Sequence, residues 1–295
     1  MKNKLLVIIN PISGTGKQKG IDKMIKDRLD SDKYDVEITY TEYAGHASLI
    51  AKEAVDKSFD TVAVVGGDGT VNEVVKSLID TDVTLAIIPC GSGNGLARHL
   101  GIPMNTKKAI DSVNTFIKHQ IDTLSINEHK CVNVAGFGFD ALISYEFANM
   151  TKRGIVSYFK SVVSNYFTYK NQNYTVEMNG ETHEMKAFLF SIANSSQYGN
   201  NAYIAPSARI DDGLVDIVAI RKPYFFQIPT VALSLFTKCI DNTFVCKTLE
   251  GSEFTIKHDN KIAHIDGEPL ELGKVIKVKV NPRSLNILVK PNRNI

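Results

Sequence analysis

A glycine-rich run at the end of an apolar strand constrains this sequence more than any other feature. Gly66–Glu73 reads GGDGTVNE, follows the apolar stretch Thr61–Val65 and leads into a helical pattern. Glycines at such a corner let backbone N–H groups approach a phosphate, because no Cβ atoms stand in the way. The helix that follows adds a partial positive charge. The acid Asp68 fits this chemistry if Mg²⁺ or a hydroxyl nucleophile lies beside the phosphate; a plain strand-to-helix turn is the alternative.

The composition is that of a globular protein large enough for two domains. The chain has 295 residues, 43% of them hydrophobic and 22% charged, which supports two separate cores. The formal net charge of +2 predicts no nucleic-acid partner. Cysteines far apart without C-x-x-C spacing indicate reduced thiols rather than disulfides or a zinc site; they are Cys90, Cys131, Cys239 and Cys246. The first apolar run is too short for a secretory signal and Tyr224–Ile240 is interrupted by polar residues, so we predict a cytoplasmic protein.

Strand and helix patterns alternate through the first part of the chain. The strand patterns are Leu5–Ile9, Val36–Tyr40, Thr61–Val65 and Leu85–Ile88, and the helical patterns are Gly20–Leu29 and Ala47–Lys57. This alternation predicts a Rossmann-like α/β domain with a parallel sheet. Ligands of such sheets bind beyond the carboxyl ends of the strands. Three glycine-rich loops fall at those ends: Asn10–Lys17, Gly66–Asn72 and Pro89–Asn94.

Short alternating runs replace this pattern from about Ile121 onward. They are Cys131–Ala135, Tyr174–Met178, Phe188–Ala193, Leu214–Ile220, Phe254–Lys257, Val275–Val280 and Leu285–Val289. The pattern predicts an antiparallel β-sandwich, interrupted by helical stretches near Ile155–Tyr169 and Phe225–Lys238. We therefore predict an α/β domain over residues 1–122, to which a last strand at about 284–295 can return, and a β-sandwich domain over residues 123–283.

Two further loops carry groups that suit a nucleotide. Asn10–Lys17 reads NPISGTGK and lacks the spacing of a Walker loop. Its lysine and glycines still suit phosphates, with a structural turn as the alternative. In the second loop, Pro89–Gly95, the side chains of Ser92 and Asn94 can hydrogen-bond a nucleotide.

Taken together, these motifs resemble the diacylglycerol kinase catalytic-domain family, which includes bacterial lipid kinases and sphingosine kinases. The resemblance covers nearly the whole chain. Its segments are NPISGTGK (Asn10–Lys17), Thr41 with Gly45-His46-Ala47, GGDGTVNEV (Gly66–Val74), PCGSGNGLAR (Pro89–Arg98), GFGFDA (Gly136–Ala141), DDGLVD (Asp211–Asp216) and DGEP (Asp266–Pro269). GGDGT alone also occurs in NAD kinases, but followed in order by GSGN, GFGFD and DGE it is much more specific. An NAD-kinase-like first domain and a lipid-binding sandwich are implied.

The resemblance implies that ATP lies in a cleft between the two domains. The residues at matching nucleotide positions are Thr41, Gly66, Gly67, Asp68, Gly69, Thr70, Val71, Asn72 and Ser92. Asn10 and Lys17 are expected to add phosphate or purine contacts. Gly93-Asn94 replaces the Thr-Ala-Asn of many bacterial relatives and is similar to the sphingosine-kinase version, which leaves the lipid class open.

The resemblance also assigns the phosphoryl-transfer chemistry. A lipid hydroxyl loses its proton as it attacks the γ-phosphoryl group, and a carboxylate can accept that proton. Glu268 matches the proton acceptor of the family, Asp266 is needed beside it, and Asp68 is our choice for organising catalytic Mg²⁺ or the nucleophile. Without the resemblance, an exposed hairpin turn is the favoured interpretation of Asp266-Gly267-Glu268.

A structural Mg²⁺ is implied at a second position. The Asp212 carboxylate would bind it together with backbone oxygens at Arg209 and Leu214, and a plain Asp-Gly turn is the alternative. Asp122 and Asp140 also match acids of the family, and Asp140 is expected to face the lipid headgroup.

Several remaining features are explained by helix capping or packing at least as well as by function. His46 and His99 are expected to pack or cap helices rather than to act in catalysis. The basic and aromatic stretch from Lys152–Lys160 through Tyr166–Lys170 leaves a membrane-interface role and ordinary packing equally open. For Pro223–Phe226 we favour ordinary packing.

These observations lead to one functional prediction and two rivals. We predict an ATP- and Mg²⁺-dependent kinase that phosphorylates a hydroxyl of diacylglycerol or a sphingoid lipid, with peripheral membrane contact at the cytoplasmic face. A homodimer remains open. The rivals are a soluble NAD kinase and a non-catalytic nucleotide- or lipid-binding module with the same fold.

Overall fold

The chain folds into two compact units. The computed structural model describes residues 2–14, 20–149 and 164–291. The first unit contains the chain up to Thr123 and again from Pro282, and the second spans Leu124–Asn281. The polypeptide therefore leaves the first unit once and returns to it in its last strand.

The first unit is built on a parallel sheet with short helices between its strands. In chain order its elements are β1 Asn3–Ile9, α1 Ile21–Arg28, β2 Tyr34–Tyr40, α2 His46–Asp56, β3 Thr61–Gly66, α3 Asp68–Leu78, β4 Thr84–Pro89, α4 Gly95–His99, α5 Thr106–Val113 and β5 Ile117–Ile126. The sheet order is β2-β1-β3-β4, and all these pairs are parallel. The end of the last strand adds to β4, also in parallel.

The burial of this sheet agrees with its apolar sequence, and its strand order indicates the edge at which a ligand binds. Every residue of β3 and β4 is buried, as expected where helices cover both faces of a parallel sheet. Because β2 lies on one side of β1 and β3 on the other, the chain order reverses at β1 and β3. Open α/β sheets bind ligands at such a reversal, beyond the carboxyl ends of the strands.

The second unit is an antiparallel sandwich. Its elements are β6 His129–Cys131, β7 Val134–Gly138, α6 Phe139–Asn149, β8 Gln172–Met178, β9 Glu181–Ala187, β10 Leu189–Ala193, β11 Gln197–Gly199, β12 Ala202–Tyr203, β13 Val215–Ile220, α7 Ile228–Phe236, β14 Cys246–Gly251, β15 Glu253–His258, β16 Ile262–Ile265, β17 Glu268–Glu271 and β18 Val275–Val289. One sheet has the order β14-β13-β10-β7-β16-β17. The other consists of the first part of β18 with β15, β8 and β9.

Aromatic and aliphatic residues from both sheets form the core of the sandwich. Phe137 and Phe190 come from one sheet and Tyr174 and Ile256 from the other, and all four are fully buried. The Tyr174 and Phe190 rings stack with centroids 4.2 Å apart. The predicted combination of a parallel α/β domain and an antiparallel sandwich is confirmed.

The structure differs from the predicted elements in several places. Cys131–Ala135 is not one strand, because the chain leaves the sheet between β6 and β7. Conversely, Val275–Val280 and Leu285–Val289 belong to one long strand, β18. The segment Lys152–Lys160 lies outside the described residues, as does most of the predicted helix Ile155–Tyr169; residues 164–168 are helical.

The predicted packing of Pro223–Phe226 is wrong. The side chains of Tyr224, Phe225 and Phe226 are 71%, 70% and 76% exposed. Phe225 to Gln227 form a 3₁₀ turn that leads into α7. No helix in the described ranges is long and apolar enough to cross a membrane.

Candidate functional site

Two glycine loops of the first unit meet backbone to backbone. Gly67 precedes α3 and Gly91 follows β4. A Cβ at Gly91 would lie 2.6 Å from the Gly67 Cα, and a Cβ at Gly93 would lie 2.8 Å from Oδ2 of Asp68. Real Cβ atoms do not approach other atoms so closely. Gly91 therefore needs glycine because it meets backbone, whereas a side chain at Gly93 would require the Asp68 carboxylate to shift.

The Asp68 carboxylate fastens the same two loops together. One oxygen accepts the N–H of Asn94 at 2.7 Å and the other accepts the N–H of Gly95 at 2.7 Å. Hydrogen bonds to a carboxylate are about twice as strong as neutral ones. Asp68 therefore has a loop-bracing role that the sequence did not reveal, and its predicted role toward Mg²⁺ or the nucleophile stays a prediction.

The second loop is closed by its own asparagine. Asn94 has φ +53°. Its Oδ1 accepts the N–H of Gly91 at 3.1 Å, and its Nδ2 donates to the Gly91 carbonyl at 2.8 Å. Arg98 adds a bond from Nε to the Gly93 carbonyl at 2.9 Å. The Asn94 amide is thus engaged within the loop, whereas Ser92 is exposed at its tip.

The loop after β1 joins the other two. The Nδ2 of Asn10 donates to Oγ1 of Thr70 at 2.9 Å, and its Oδ1 accepts the N–H of Ile12 at 3.1 Å. Gly14 has φ +73°, and a Cβ there would collide with the carbonyl of Cys90. The structure therefore brings together the three glycine loops that the sequence placed at strand ends. The predicted contact residue Lys17 lies outside the described residues.

Two positions on α3 suit a ligand better than they suit packing. Gly69 is exposed, and no described atom lies within 4 Å of a Cβ built on it, so no described contact requires glycine there. Asn72 is 2% exposed, and neither atom of its amide has a hydrogen-bond partner within the described chain. A buried polar group without a partner costs about 1–3 kcal/mol, which a bound polar group would offset. Val71 is buried, so only its backbone can serve a ligand.

The N-terminus of helix α2 is held by Glu73, a residue of α3 to which the sequence assigns no role. The carboxylate of Glu73 accepts the N–H of Gly45 at 2.9 Å and that of Ala47 at 3.2 Å, which caps the N-terminus of α2. This contact fixes the segment that follows Thr41, a buried residue whose N–H donates to the Ile9 carbonyl at 2.9 Å. The available signal in the sequence is a glutamate at the eighth position of the glycine motif Gly66–Glu73.

His46, His99 and Asp122 have structural contacts. His46 accepts the N–H of Glu42 through Nδ1 at 3.1 Å and stacks on Tyr43. His99 is buried in α4. Asp122 is fully buried, and its Oδ1 accepts the N–H of Arg283 at 2.7 Å. Asp122 therefore joins β5 to the last strand.

In the second unit, Asp266 and Gly267 form the two-residue turn between β16 and β17. Their φ angles are +51° and +85°, the left-handed values that such a hairpin requires. The Asp266 carboxylate accepts the N–H of Val132 at 3.0 Å, of Asn133 at 2.8 Å and of Val134 at 3.2 Å. These bonds draw the chain out of the sheet between β6 and β7.

The two acids of the DGE segment therefore differ in environment. Burial raises the pKa of Asp266, although its backbone hydrogen bonds oppose that rise. Burial, reinforced by the neighbouring Asp266, raises the pKa of the Cys131 thiol well above its usual value. Glu268 is exposed at the start of β17. Asp266 holds the chain in place, whereas Glu268 is the acid that a substrate from solvent can reach.

The GFGFDA segment places Asp140 in a half-buried polar cluster. The Oδ2 of Asp140 accepts the hydroxyl of Tyr198 at 2.9 Å and lies 3.3 Å from Nε2 of His264. Tyr198 also pairs with the Ser191 hydroxyl at 2.5 Å. A Cβ at Gly136 would collide with both Asp140 and His264, so the glycine makes room for this pair. The side-chain partners of Asp140 lie at least 58 positions away in sequence, so no local pattern indicates them.

The predicted metal segment lies in the turn before β13. Oδ1 of Asp212 accepts the N–H of Leu214 at 3.0 Å, and Arg209 approaches Asp211 at 3.3 Å. Asp216, the last acid of the segment, is buried. Burial, reinforced by the charges of Glu250, Asp212 and Asp241, raises the pKa of Asp216 to about 7.

This excess of negative charge suits a cation. A carboxylate and carbonyl oxygens are the donors that Mg²⁺ prefers. No group of three or more His, Cys, Asp or Glu side chains within the described ranges could hold a metal, so backbone oxygens would have to complete the site. The residues present fit an ion held largely by carbonyls and water.

A parallel α/β unit with interlocked glycine loops, joined to an antiparallel sandwich, defines the class of two-domain α/β and β-sandwich proteins. Residues 4–126 match the model of the diacylglycerol kinase catalytic domain, and residues 133–289 match that of the YegS C-terminal NAD kinase beta sandwich-like domain. The chain belongs to the diacylglycerol kinase catalytic-domain family of lipid kinases.

Individual relatives agree with this membership. The chain is 30% identical over 235 residues to the diacylglycerol kinase of Bacillus subtilis (strain 168), covering 77% of this chain and 78% of the relative. It is 27% identical to a probable lipid kinase YegS-like of Yersinia enterocolitica, covering 99% and 98%. A crystal structure of a diacylglycerol kinase from Bacillus anthracis str. Sterne shares the fold with a TM-score of 0.75 at 20% identity, covering 98% and 97%.

Proposed function

We propose that this protein transfers the γ-phosphoryl group of ATP, with Mg²⁺, to a hydroxyl of diacylglycerol or a sphingoid lipid. Its membership of a lipid kinase family supports the kinase class. The observation that carries the nucleotide assignment is the pair of α3 features: an exposed glycine at 69 that no described contact requires, and the buried, unpartnered amide of Asn72. Both fit a phosphate group brought close to the backbone of the first turn.

The glycine loops would bind the triphosphate through backbone N–H groups. Asp68, Asn94 and Asn10 hold these loops rigid through their own hydrogen bonds. Such preorganised donors stabilise charge without reorganising during the reaction. When bound, Mg²⁺ would neutralise charge that develops on the transferring group. Asp68 remains our candidate for holding that ion, through lone pairs that its two loop bonds leave unused.

We assign proton removal to Glu268 and positioning to Asp266. Glu268 is exposed and can accept the proton of an incoming hydroxyl. The carboxylate of Asp266 is occupied by three backbone N–H groups, so it would fix the hairpin that carries Glu268. Asp140, fixed by Tyr198 and His264, is our candidate for recognising the lipid headgroup.

The second metal proposal concerns the turn before β13. Asp212 with the backbone oxygens of Arg209 and Leu214 would hold a structural Mg²⁺. The pKa of Asp216 is raised chiefly by burial, but the charges of Glu250, Asp212 and Asp241 reinforce that rise, and a cation in the turn would offset this negative charge.

A radiolabelled-ATP assay against a panel of acceptors tests the function. The panel contains diacylglycerols, sphingosine, ceramide and NAD. We expect label in a lipid, loss of that label in Glu268→Gln, and normal labelling in Glu271→Gln, a control on the same exposed strand. Label in NAD alone would establish the soluble-kinase rival, and no labelled product would favour a non-catalytic module.

The same panel of acceptors tests whether Asp140 recognises the lipid headgroup. If its carboxylate recognises the headgroup, Asp140→Asn should change the ratio of rates on sphingosine and diacylglycerol. An equal loss on both lipids would assign Asp140 a purely structural role.

A further inference from the structure

An uncharged apolar segment lies on the surface of the second unit. Between Lys222 and Lys238 the sequence contains no Asp, Glu, Lys, Arg or His. Three successive aromatic residues of this segment, Tyr224 to Phe226, are each at least 70% exposed. Single exposed apolar side chains are normal in globular proteins, but contiguous ones mark an interaction surface.

Helix α7 continues this surface with an apolar outer face. Val231 and Leu235 pack against the buried cluster beneath the helix. Leu233 and Phe236, on the other side, are 60% and 57% exposed. A helix on the surface of a globular protein ordinarily presents polar residues to water, so this outer face lacks its expected partner.

Ring contacts join the exposed aromatic side chains in two pairs. The Phe225 ring stacks on that of Phe167, with centroids 6.2 Å apart, and Tyr224 stacks on Phe226 at 5.7 Å. Phe167 is itself 62% exposed. We call the exposed apolar side chains of this segment, together with Phe167, the aromatic surface. Its residues are Phe167, Tyr224, Phe225, Phe226, Leu233 and Phe236.

Cationic side chains flank the aromatic surface at both ends of the segment. Arg221 and Lys238 are exposed, and Lys222 lies over the Tyr166 ring at 4.8 Å. The acid that follows in the chain is Asp241, beyond Lys238. Aromatic and aliphatic side chains with cations at their border suit the boundary of a bilayer with anionic headgroups.

We propose that the aromatic surface docks onto a bilayer that contains anionic lipids. The proposal rests on the lipid kinase function above, because diacylglycerols and sphingoid lipids reside in bilayers. The flanking cations favour a bilayer over a second copy of the chain, since two copies meeting through this surface would bring like charges together.

A tryptophan reporter tests the docking directly. The chain contains no Trp, so Phe225→Trp introduces a single indole into the aromatic surface. We expect a blue shift of its emission, and quenching by brominated lipids, when phosphatidylglycerol-containing vesicles are added. Leu49→Trp, at a 53% exposed position on α2, is the control and should show neither. An unchanged spectrum for Phe225→Trp would overturn the proposal.

Serine substitutions give a quantitative second measurement. Phe225→Ser, Phe226→Ser and Leu233→Ser together should lower vesicle affinity by about tenfold or more. A control triple of Leu49→Ser, Ile117→Ser and Val275→Ser, all at exposed sites, should leave it unchanged. Unchanged vesicle binding in the first triple, or a dimer that this triple splits without loss of vesicle binding, would overturn the proposal.

A dispersed short-chain diacylglycerol separates docking from catalysis. The first triple variant should phosphorylate this water-soluble lipid at the wild-type rate while losing activity on vesicles. If the wild type labels no lipid yet the vesicle results hold, the kinase function fails and the docking surface stands. If catalysis on the dispersed lipid persists but the vesicle results fail, the reverse is established.

Discussion

Replacing Asp68 with Asn should both destabilise the protein and weaken nucleotide binding. The carboxylate accepts two N–H groups at 2.7 Å, one on each oxygen. An asparagine keeps one acceptor oxygen and turns an NH₂ group toward the other N–H. The variant therefore loses one charge-assisted hydrogen bond, worth about 1.5–3 kcal/mol, and leaves a donor facing a donor.

We expect a loss of about 2–3 kcal/mol, taken at the low end because Asp68 is partly exposed. For a chain of 295 residues that corresponds to a fall of roughly 3–5 °C in the thermal midpoint. The measurement is the midpoint of the nucleotide-free protein, with kcat and the KM for ATP determined in parallel. The KM should rise, since the loop after β4 is no longer held.

The matched control is Asp60→Asn. Asp60 accepts one backbone N–H, from Lys4 at 2.7 Å, at an exposed site. An asparagine oxygen can keep that bond, so the midpoint should move little. If Asp68→Asn melts like the wild type and loses only kcat, the bracing role is refuted and the carboxylate acts on the metal or the nucleophile alone.

Three further outcomes are expected. Glu73→Gln should lower the free energy of unfolding by about 1 kcal/mol, because it weakens the cap of α2. Urea unfolding measures this, with Glu53→Gln at an exposed site as the control, and an equal loss in both variants would refute the capping role. In Mg²⁺-free buffer the thermal midpoint should fall between about pH 4 and about pH 7. The unfolded carboxyl of Asp216 loses its proton near pH 4, whereas the folded one, with its pKa raised to about 7, keeps it, so folding requires proton uptake over that window. Asp216→Asn should reduce the dependence of the thermal midpoint on pH. A dependence as steep as in the wild type would show that other groups cause it. Mg²⁺ should raise the midpoint at pH 8 in the wild type but not in Asp212→Asn, whereas equal gains would place the ion elsewhere.

Local sequence patterns predicted the elements whose burial is uniform. The strands β1, β3 and β4 are continuous apolar runs, and their glycine exits mark their ends. The pattern failed where distant contacts decide the structure. The pattern separates Val275–Val280 from Leu285–Val289, yet one strand continues through Pro282 and Arg283, with Arg283 at φ +52°.

The site was predictable as a set of residue types but not as a network. Glycine spacing located the loops, since backbone proximity demands glycine. The partners of Asp68, Asp266 and Asp140 could not be read from the sequence, because each carboxylate binds groups at least 26 positions away. Such pairings depend on strand register, which no local pattern specifies.

The direct backbone contact between Gly67 and Gly91 has a consequence for changing nucleotide preference. Neither loop can be reshaped alone, because moving one main chain displaces the other. Variation is expected to succeed at the exposed tip, Ser92, where a larger or charged side chain meets solvent. A library confined to that tip would alter selectivity while the underlying scaffold keeps its form.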